Sequence, residues 1–304
     1  MTLPPARVGS LAGMNARARR IALPFCLLIG LTGASCSGNS GNSSAQTTTP
    51  AASTPGSAAA RAVVNAASAR TISLKTASLQ VTLALAGGPD ATVSGPFDLA
   101  NGVGQLTLEV SGAPTTGAIP NPSTLLYDGG SPYLKATGSI LTSFDGNKPW
   151  AQLTTASLQQ IFCLLQPSSQ QSTLAQVASG NPGDLLHVLD TPAMSVTPGR
   201  TTMDNGVHVT EYTATIDPAA AEKTASGPAR QLFAAMVAGG SWSPFVVGIG
   251  PDEALSSLTT TFTSAGKAVQ VGIHLSHFGT PVSVTAPSPA EIGPLNVPGG
   301  CATS

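Results

Sequence analysis

The segment SLQVTLALA, residues 78–86, decides how this chain folds. Leu79, Val81, Leu83 and Leu85 alternate with Gln80, Thr82 and Ala84, the period of two that gives a β-strand one apolar face. GGPD, Gly87 to Asp90, supplies a turn, and ATVSGPFDLA and GQLTLEVSG follow it. In the second of these Leu106, Leu108 and Val110 share a face opposite Thr107 and Glu109. Alternating segments joined by short connections predict antiparallel neighbours in a meander. STLLYDGGSPYLKA extends the meander to about Ala136 as a hairpin that turns at Asp128, Gly129 and Gly130.

The same period returns in the C-terminal third, in SPFVVGIG, SSLTTTFT, KAVQVGIHLSHF and TPVSVTAP. Val269, Val271, Ile273 and Leu275 again share a face. GVHVTEYTATID changes phase between Val207 and Val209 on one side and Tyr212, Ala214 and Ile216 on the other, which predicts a bulge near Glu211. Between the two sets of strands the spacing shifts to three and four. AARAVVNAASARTISLKTA predicts an N-terminal helix; TTASLQQIFCLLQ, SSQQSTLAQVAS and PGDLLHVLD predict short helices in the middle. DPAAAEKTA and GPARQLFAAMVAG predict another helical stretch. The expected fold class is α+β: one long curved antiparallel β-sheet with several α-helices across one side.

Upstream of the first helix the composition changes twice. Ile21 to Leu31, IALPFCLLIGL, is an apolar run preceded by Arg7, Arg17, Arg19 and Arg20, with no acidic residue before Cys36. This is the pattern of a signal peptide, assigned to residues 1–35, with Met1 or Met14 as its start. Gly33, Ala34 and Ser35 lead into Cys36, so cleavage before a lipid-bearing cysteine is expected, as in bacterial lipoprotein precursors. Gly33 stands where a lipobox usually carries Leu, Val or Ile, and the other reading is a secreted protein with a free Cys36. Residues 36–57 are rich in Ser, Thr, Gly, Asn and Ala and hold almost no apolar bulk, which predicts a disordered tether. Such a coil would hold a domain, residues 58–304, roughly 25 to 30 Å from its anchor. The expected address is the extracytoplasmic face of the cell membrane.

The whole chain has formal charge −1, and loss of the four leader arginines brings it to −1 − 4 = −5. No basic face for nucleic acid is expected. Charged residues are 9% of the chain, well under the roughly 25% of ordinary domains, which suits an exported β-rich protein. With Cys26 in the leader and Cys36 assigned to lipid, Cys163 and Cys301 remain. Two cysteines outside the cytoplasm are expected to pair. The other reading buries Cys163 as a thiol within IFCLL and leaves Cys301 in the tail.

Chemistry-bearing patterns are sparse. His274 and His277 are three apart on a predicted strand and point to opposite faces, which does not favour a shared metal. His187 and His208 have no neighbours that suggest a site. No GxSxG, HExxH, CxxC or P-loop pattern occurs. Ser264-Ala-Gly-Lys267 fits the SxxK spacing of some acylases, but it lies between two strands and reads as a turn. No enzyme activity and no cofactor or metal are expected.

A wide apolar sheet face that helices do not fill leaves room for an oily ligand. The candidate lining residues on the strands are Leu79, Val81, Leu83, Leu85, Leu106, Leu108, Val110, Val247, Val271 and Ile273. The candidate aromatic lining is Phe97, Tyr127, Tyr133, Trp150, Phe162, Trp242, Phe245 and Phe262. The competing reading is that these residues close on one another as an ordinary core.

LLYDGGSPYLK, GNKPWAQL, DNGVHVTEYTATID and LSHFGTPVSVTAP, in that order, resemble mycobacterial and actinobacterial lipoproteins of the LppX/LprAFG type. Their half-barrel is similar to the LolA and LolB lipoprotein carriers. The resemblance implies a curved antiparallel sheet wrapped over helices around a hydrophobic cavity for the acyl chains of lipids or lipoglycans, with no catalytic residues. The expected function is a cell-envelope lipoprotein that binds and transfers such lipids. The alternative is a non-carrier envelope protein that acts as a binding or assembly partner of a transporter.

Overall fold

The computed structural model describes residues 55–88, 90–112, 122–129, 132–135, 147–159, 182–204, 206–238, 241–264 and 267–295. Helix α1 (Pro55–Ser73) comes first. It begins three residues before the boundary expected at 58, with Pro55 in the first turn, where a missing N–H costs no helical bond. Ala60, Val64, Ala67, Ser68 and Thr71 are buried, at the spacing of three and four that makes one stripe along a helix. Lys75 takes a left-handed conformation, φ 65°, and reverses the chain into the sheet.

Twelve strands follow: β1 (Thr76–Leu85), β2 (Asp90–Asp98), β3 (Val103–Ser111), β4 (Ser123–Asp128), β5 (Pro132–Lys135), β6 (Trp150–Gln152), β7 (Met194–Asp204), β8 (Val207–Ile216), β9 (Phe245–Ile249), β10 (Leu255–Ser264), β11 (Lys267–Ser276) and β12 (Ile292–Gly293). They form one curved sheet in the order β12-β6-β5-β4-β3-β2-β1-β11-β10-β9-β8-β7. The meander expected from residue 78 onward is the left half of this order, and β1 joins it to the C-terminal strands by pairing with β11. Among the described residues β12 and β7 have no further partner strand, and the sheet is an unclosed half-barrel. All junctions are antiparallel except β12 with β6, which is parallel.

Three local expectations change, and one strand arises where none was expected. MSVTPGRTTMD shows alternation only at Met194 and Val196, yet it forms β7 because β8 offers it a pairing edge on both sides of a bulge. TPVSVTAP, expected as a strand, takes no part in the sheet: residues 280–288 carry no regular element. The segment Pro182–Asp190 is a 3-10 helix, not an α-helix. The irregularity expected near Glu211 lies on the partner strand, between Pro198 and Thr201 of β7, whose partners Tyr212 and Thr210 flank Glu211. A bulge and a proline on an exposed edge strand prevent another chain from adding to the sheet.

Among the described residues the helices lie on the concave face beside β7, β9 and β10. α1 packs on β7, on the 3-10 helix, and on β9 and β10. Side chains fasten it: Ser68 Oγ donates to Leu186 O at 3.3 Å, and the Leu255 N–H donates to Thr71 Oγ1 at 2.8 Å. α2 (Pro218–Thr224) starts on Asp217, whose carboxylate accepts from the Ala219 and Ala220 N–H groups. α3 (Gly227–Ala238) packs against α2 and the 3-10 helix. On the outer face the tip of the β7–β8 hairpin folds back: Asp204 Oδ2 stands 3.4 Å from His274 Nδ1 on β11, although β8, β9 and β10 separate those strands in the sheet order. This is an ion-pair distance without hydrogen-bond alignment, since His274 Nδ1 makes no hydrogen bond.

Candidate functional site

Strand register lays the concave face out in rows. Nearest one end are Ala77, Phe97, Gly104 and Tyr127. Phe97 is fully buried, meets Tyr127 edge-on with centroids 5.6 Å apart, and lies over Gly104. A Cβ at Gly104 would run into Phe97 Cδ2 and stand 2.9 Å from Pro96 O. The second row holds Leu275 and Leu79 and, further along, Leu106, Leu125, Leu134 and Ala151. Each is buried. This end of the half-barrel is sealed.

Toward the other end burial falls away on part of the sheet. In the third row Val247, Leu258 and Ile273 are buried, whereas Val81, Val93 and Leu108 are partly exposed. In the fourth row Val271, Leu83, Ala91 and Val110 are all partly exposed. A fifth row, Phe262, Val269 and Leu85, is buried again as a separate cluster against which Leu83, Val271 and Trp242 pack. Trp242 touches both clusters. It stacks on Phe262 at 4.5 Å, and its Nε1–H donates to Met236 O at 3.1 Å.

The apolar core is therefore divided in two, and between its parts runs a band of partly exposed aliphatic side chains on β11, β1, β2 and β3. Native cores are close-packed, so an apolar band left half open inside a concave sheet is a place for a further apolar group. The one polar side chain of the fourth row on β10, Thr260, is buried and donates to Ser243 O at 3.0 Å. The band thus presents methyl and methylene groups and asks for no directional bond.

The candidate lining residues sort on this geometry. Val81, Leu83, Leu108, Val110 and Val271 form the band. Leu79, Phe97, Leu106, Phe245, Val247 and Ile273 lie in the main core, and Leu85 and Phe262 in the rim cluster. Tyr133 and Trp150 belong to the outer face. Tyr133 pairs with Leu126 and Gln152, out of phase with Leu125 and Leu134; Trp150 pairs with Lys135, whose Nζ stands 5.8 Å from the ring centroid. The short, irregular strands β5 and β6 hid this phase, because two or three residues show no period. Phe162, Cys36, Cys163 and Cys301 lie outside the described residues. Ala91 and Val93 escaped the sequence reading, although ATV in ATVSGPFDLA carries the signal.

Burial raises the Tyr127 phenol to about 12. Tyr133 is also raised, first by burial and then by the charge and hydrogen bonding of Asp128. Among the described residues no group of three or more His, Cys, Asp or Glu stands together as a metal site. Ser264 and Lys267 face each other across the β10–β11 turn, as a hairpin requires. His187 Nδ1 meets Asp190 Oδ2 at 3.1 Å on the surface, and His277 follows the end of β11 in a left-handed conformation, φ 49°.

No protein-family model and no curated protein matches the chain. Among solved structures the chain is similar to LprF from Mycobacterium bovis, at 18% identity over 76% of this chain and 98% of that one, with a TM-score of 0.40. It is also similar to an outer membrane lipoprotein-sorting protein domain from Vibrio parahaemolyticus, at 10% identity over 74% of this chain and 94% of that one, TM-score 0.28. A third likeness is to a DUF1329 family protein from Desulfovibrio piger, at 10% identity over 74% of this chain and 95% of that one, TM-score 0.23. These likenesses are distant, and the divided core stands on this chain's own residues.

Proposed function

We propose that this chain is a cell-envelope lipoprotein whose half-barrel binds the acyl chain of a lipid or lipoglycan and passes it on. The observation that carries the reading is the aliphatic band between the two apolar clusters, formed by Val81, Leu83, Ala91, Val93, Leu108, Val110 and Val271. An alkyl chain laid along it gains roughly 0.8 kcal/mol for each methylene taken out of water. Because the band offers no charge and no free hydrogen-bonding group, it selects for hydrocarbon length and leaves headgroup recognition to the loops.

The same reading takes residues 1–35 as an export signal, Cys36 as the lipidated residue, and residues 36–57 as the tether to the extracytoplasmic face of the membrane. It pairs Cys163 with Cys301. The test is native mass spectrometry of protein purified from its own host, followed by delipidation and reloading with a fluorescent phospholipid. Co-purifying acyl lipid and saturable reloading are expected. Protein that is lipid-free as isolated and takes up no lipid refutes the proposal, and cross-linking that recovers only a transporter would then favour an assembly partner.

A further inference from the structure

Across β11, β1, β2 and β3 the two apolar clusters stay apart, and among the described residues Trp242 is the one side chain that packs against both. Its place is set by the strand edge it extends. Residues 241–243 lead into β9 and run beside β10: Trp242 is bridged to Phe262, the Ser243 N–H donates to Thr261 O at 2.7 Å, and the Thr263 N–H donates to Ser241 O at 3.1 Å. The indole stacks on Phe262 at 4.5 Å with planes 23° apart and on Phe245 at 6.5 Å with planes 16° apart. Its Nε1–H is held by Met236 O in the last turn of α3. Two ring contacts and one directional bond set its pose.

The aliphatic band runs toward this residue. Its fourth row passes Val110, Ala91, Leu83 and Val271 on neighbouring strands. The next residue of the row, Thr260 on β10, is buried and donates to Ser243 O. There the row stops being partly exposed, and the band ends in an aromatic wall. The third row lies two residues away along each strand, about 7 Å at ~3.4 Å per residue. Packed alkyl carbons sit about 4.0–4.5 Å apart, so the furrow between the rows takes one chain in single file. From β3 to β11 there are three strand spacings, about 14 Å at ~4.8 Å each. An extended chain of single bonds advances about 1.2 Å per bond, as a backbone does in covering ~3.5 Å with three bonds. The band therefore measures about 12 carbons.

We propose that Trp242 is the end stop of the band: one acyl chain lies across the strands with its methyl end toward the indole, and the distance from Val110 to Trp242 sets the chain length that the protein prefers. The orientation follows from polarity. At this end the indole N–H and the Thr260 hydroxyl are both engaged, so the wall offers hydrocarbon and not a bond to a headgroup. The inference rests on the lipid-binding reading and adds which chain that reading selects. Each methylene up to the length of the band tightens binding about fourfold, and carbons beyond it lie outside the furrow and add little.

The delipidated full chain is titrated with lysophosphatidylcholines of stepped saturated chain length, read by displacement of a fluorescent phospholipid. Kd is expected to fall about fourfold per methylene and to level near ~12 carbons, with one chain bound per protein. In Trp242→Ala the break moves to longer chains by about four carbons, one ~4.8 Å strand spacing at ~1.2 Å per bond. A merely structural residue would instead lower every affinity by one factor and leave the break in place. That outcome, a Kd that falls without a break in the unsubstituted chain, or two chains bound per protein overturns the stop.

Trp242→Ala also removes a contact of the rim cluster, so a second measurement keeps Trp242. The chain contains two tryptophans, and Trp150 stands on the outer face beside Lys135. In Trp150→Phe the tryptophan emission comes from Trp242 alone. Lysophosphatidylcholines brominated near the methyl end or near the carboxyl end are compared at saturation. Stronger quenching by the methyl-end label is expected, and equal quenching or the reverse order overturns the stop. Binding with no quenching from either label also overturns it and leaves the lipid-binding reading standing, whereas no binding at any chain length overturns both.

Discussion

Leu79 and Leu83 stand on the same strand and the same face, two rows apart, and replacing each by alanine separates a closed core from an open one. Leu79 is 2% exposed, so Leu79→Ala should cost about 2–5 kcal/mol of folding stability, with no separate effect on ligand. Leu83 is only partly buried. Leu→Ala removes three carbons, worth about 2.4 kcal/mol at ~0.8 kcal/mol each when fully withdrawn from water. If roughly half of that surface is covered in the empty protein, Leu83→Ala costs about 1.2 kcal/mol in folding. The remaining ~1.2 kcal/mol appears as ligand affinity, about a sevenfold rise in Kd. Urea unfolding of delipidated protein measures the first share, and displacement of a fluorescent phospholipid measures the second. If Leu83→Ala loses the full 2 to 3 kcal/mol in delipidated protein and lipid affinity is unchanged, the band is ordinary core and the reasoning fails.

Three further outcomes follow from single contacts. Thr71→Val should cost about 1–3 kcal/mol in chemical denaturation, because it leaves the buried Leu255 N–H without its acceptor while keeping the shape of the side chain. Gly104→Ala should cost about 1–3 kcal/mol and disturb the near-ultraviolet signal of Phe97 and Tyr127, since the added methyl occupies the space of the Phe97 ring. The Tyr127 phenol is raised from 10.0 to about 12, so the folded protein holds its proton where the unfolded chain has released it. Its contribution to stability is fully present below pH 10 and is lost as pH rises toward 12. Tyr127→Phe should flatten that loss in urea midpoints measured across the interval, and an unchanged slope would contradict the assignment.

Sequence made the long strands legible because burial on one face leaves a period of two over eight or more residues. SLQVTLALA, GQLTLEVSG and KAVQVGIHLSHF each show it, and each lies in the sheet with the phase expected. The pairing of β1 with β11 left no trace, since it depends on which strand edges remain free after the meander forms. β7 was missed for a related reason: Pro198 and Gly199 are poor strand formers, kept there because an edge strand must resist further pairing. Tyr133 and Trp150 were assigned to the wrong face because β5 and β6 are too short for hydrophobicity to reveal a phase. The candidate site was legible as a set of apolar residues but not as a site, because alternation reports which face is buried and carries no measure of how deeply.

That depth is decided by the size of side chains in successive rows and by where the helices stop. The sealed end fills its curve with large groups: Phe97 over Gly104, Tyr127 against Phe97, and leucines at 79, 106, 125 and 134. The fourth row offers Val271, Leu83, Ala91 and Val110, mostly smaller side chains at the same strand spacing, and among the described residues α1 packs chiefly on β7, with β9 and β10 beside it. A concave wall lined by small residues cannot meet its own opposite side, so closure requires either collapse of the curve or a guest. The contact that stands against collapse is the rim cluster, where Phe262, Val269, Leu85 and Trp242 pack together beyond the band. If the lipid-binding proposal holds, loosening this cluster tests whether it keeps the band open. Phe262→Ala should both lower stability, by about 3–5 kcal/mol, and reduce lipid capacity by letting the wall relax, whereas an equal core loss at Phe97→Ala should spare the capacity of whatever protein remains folded.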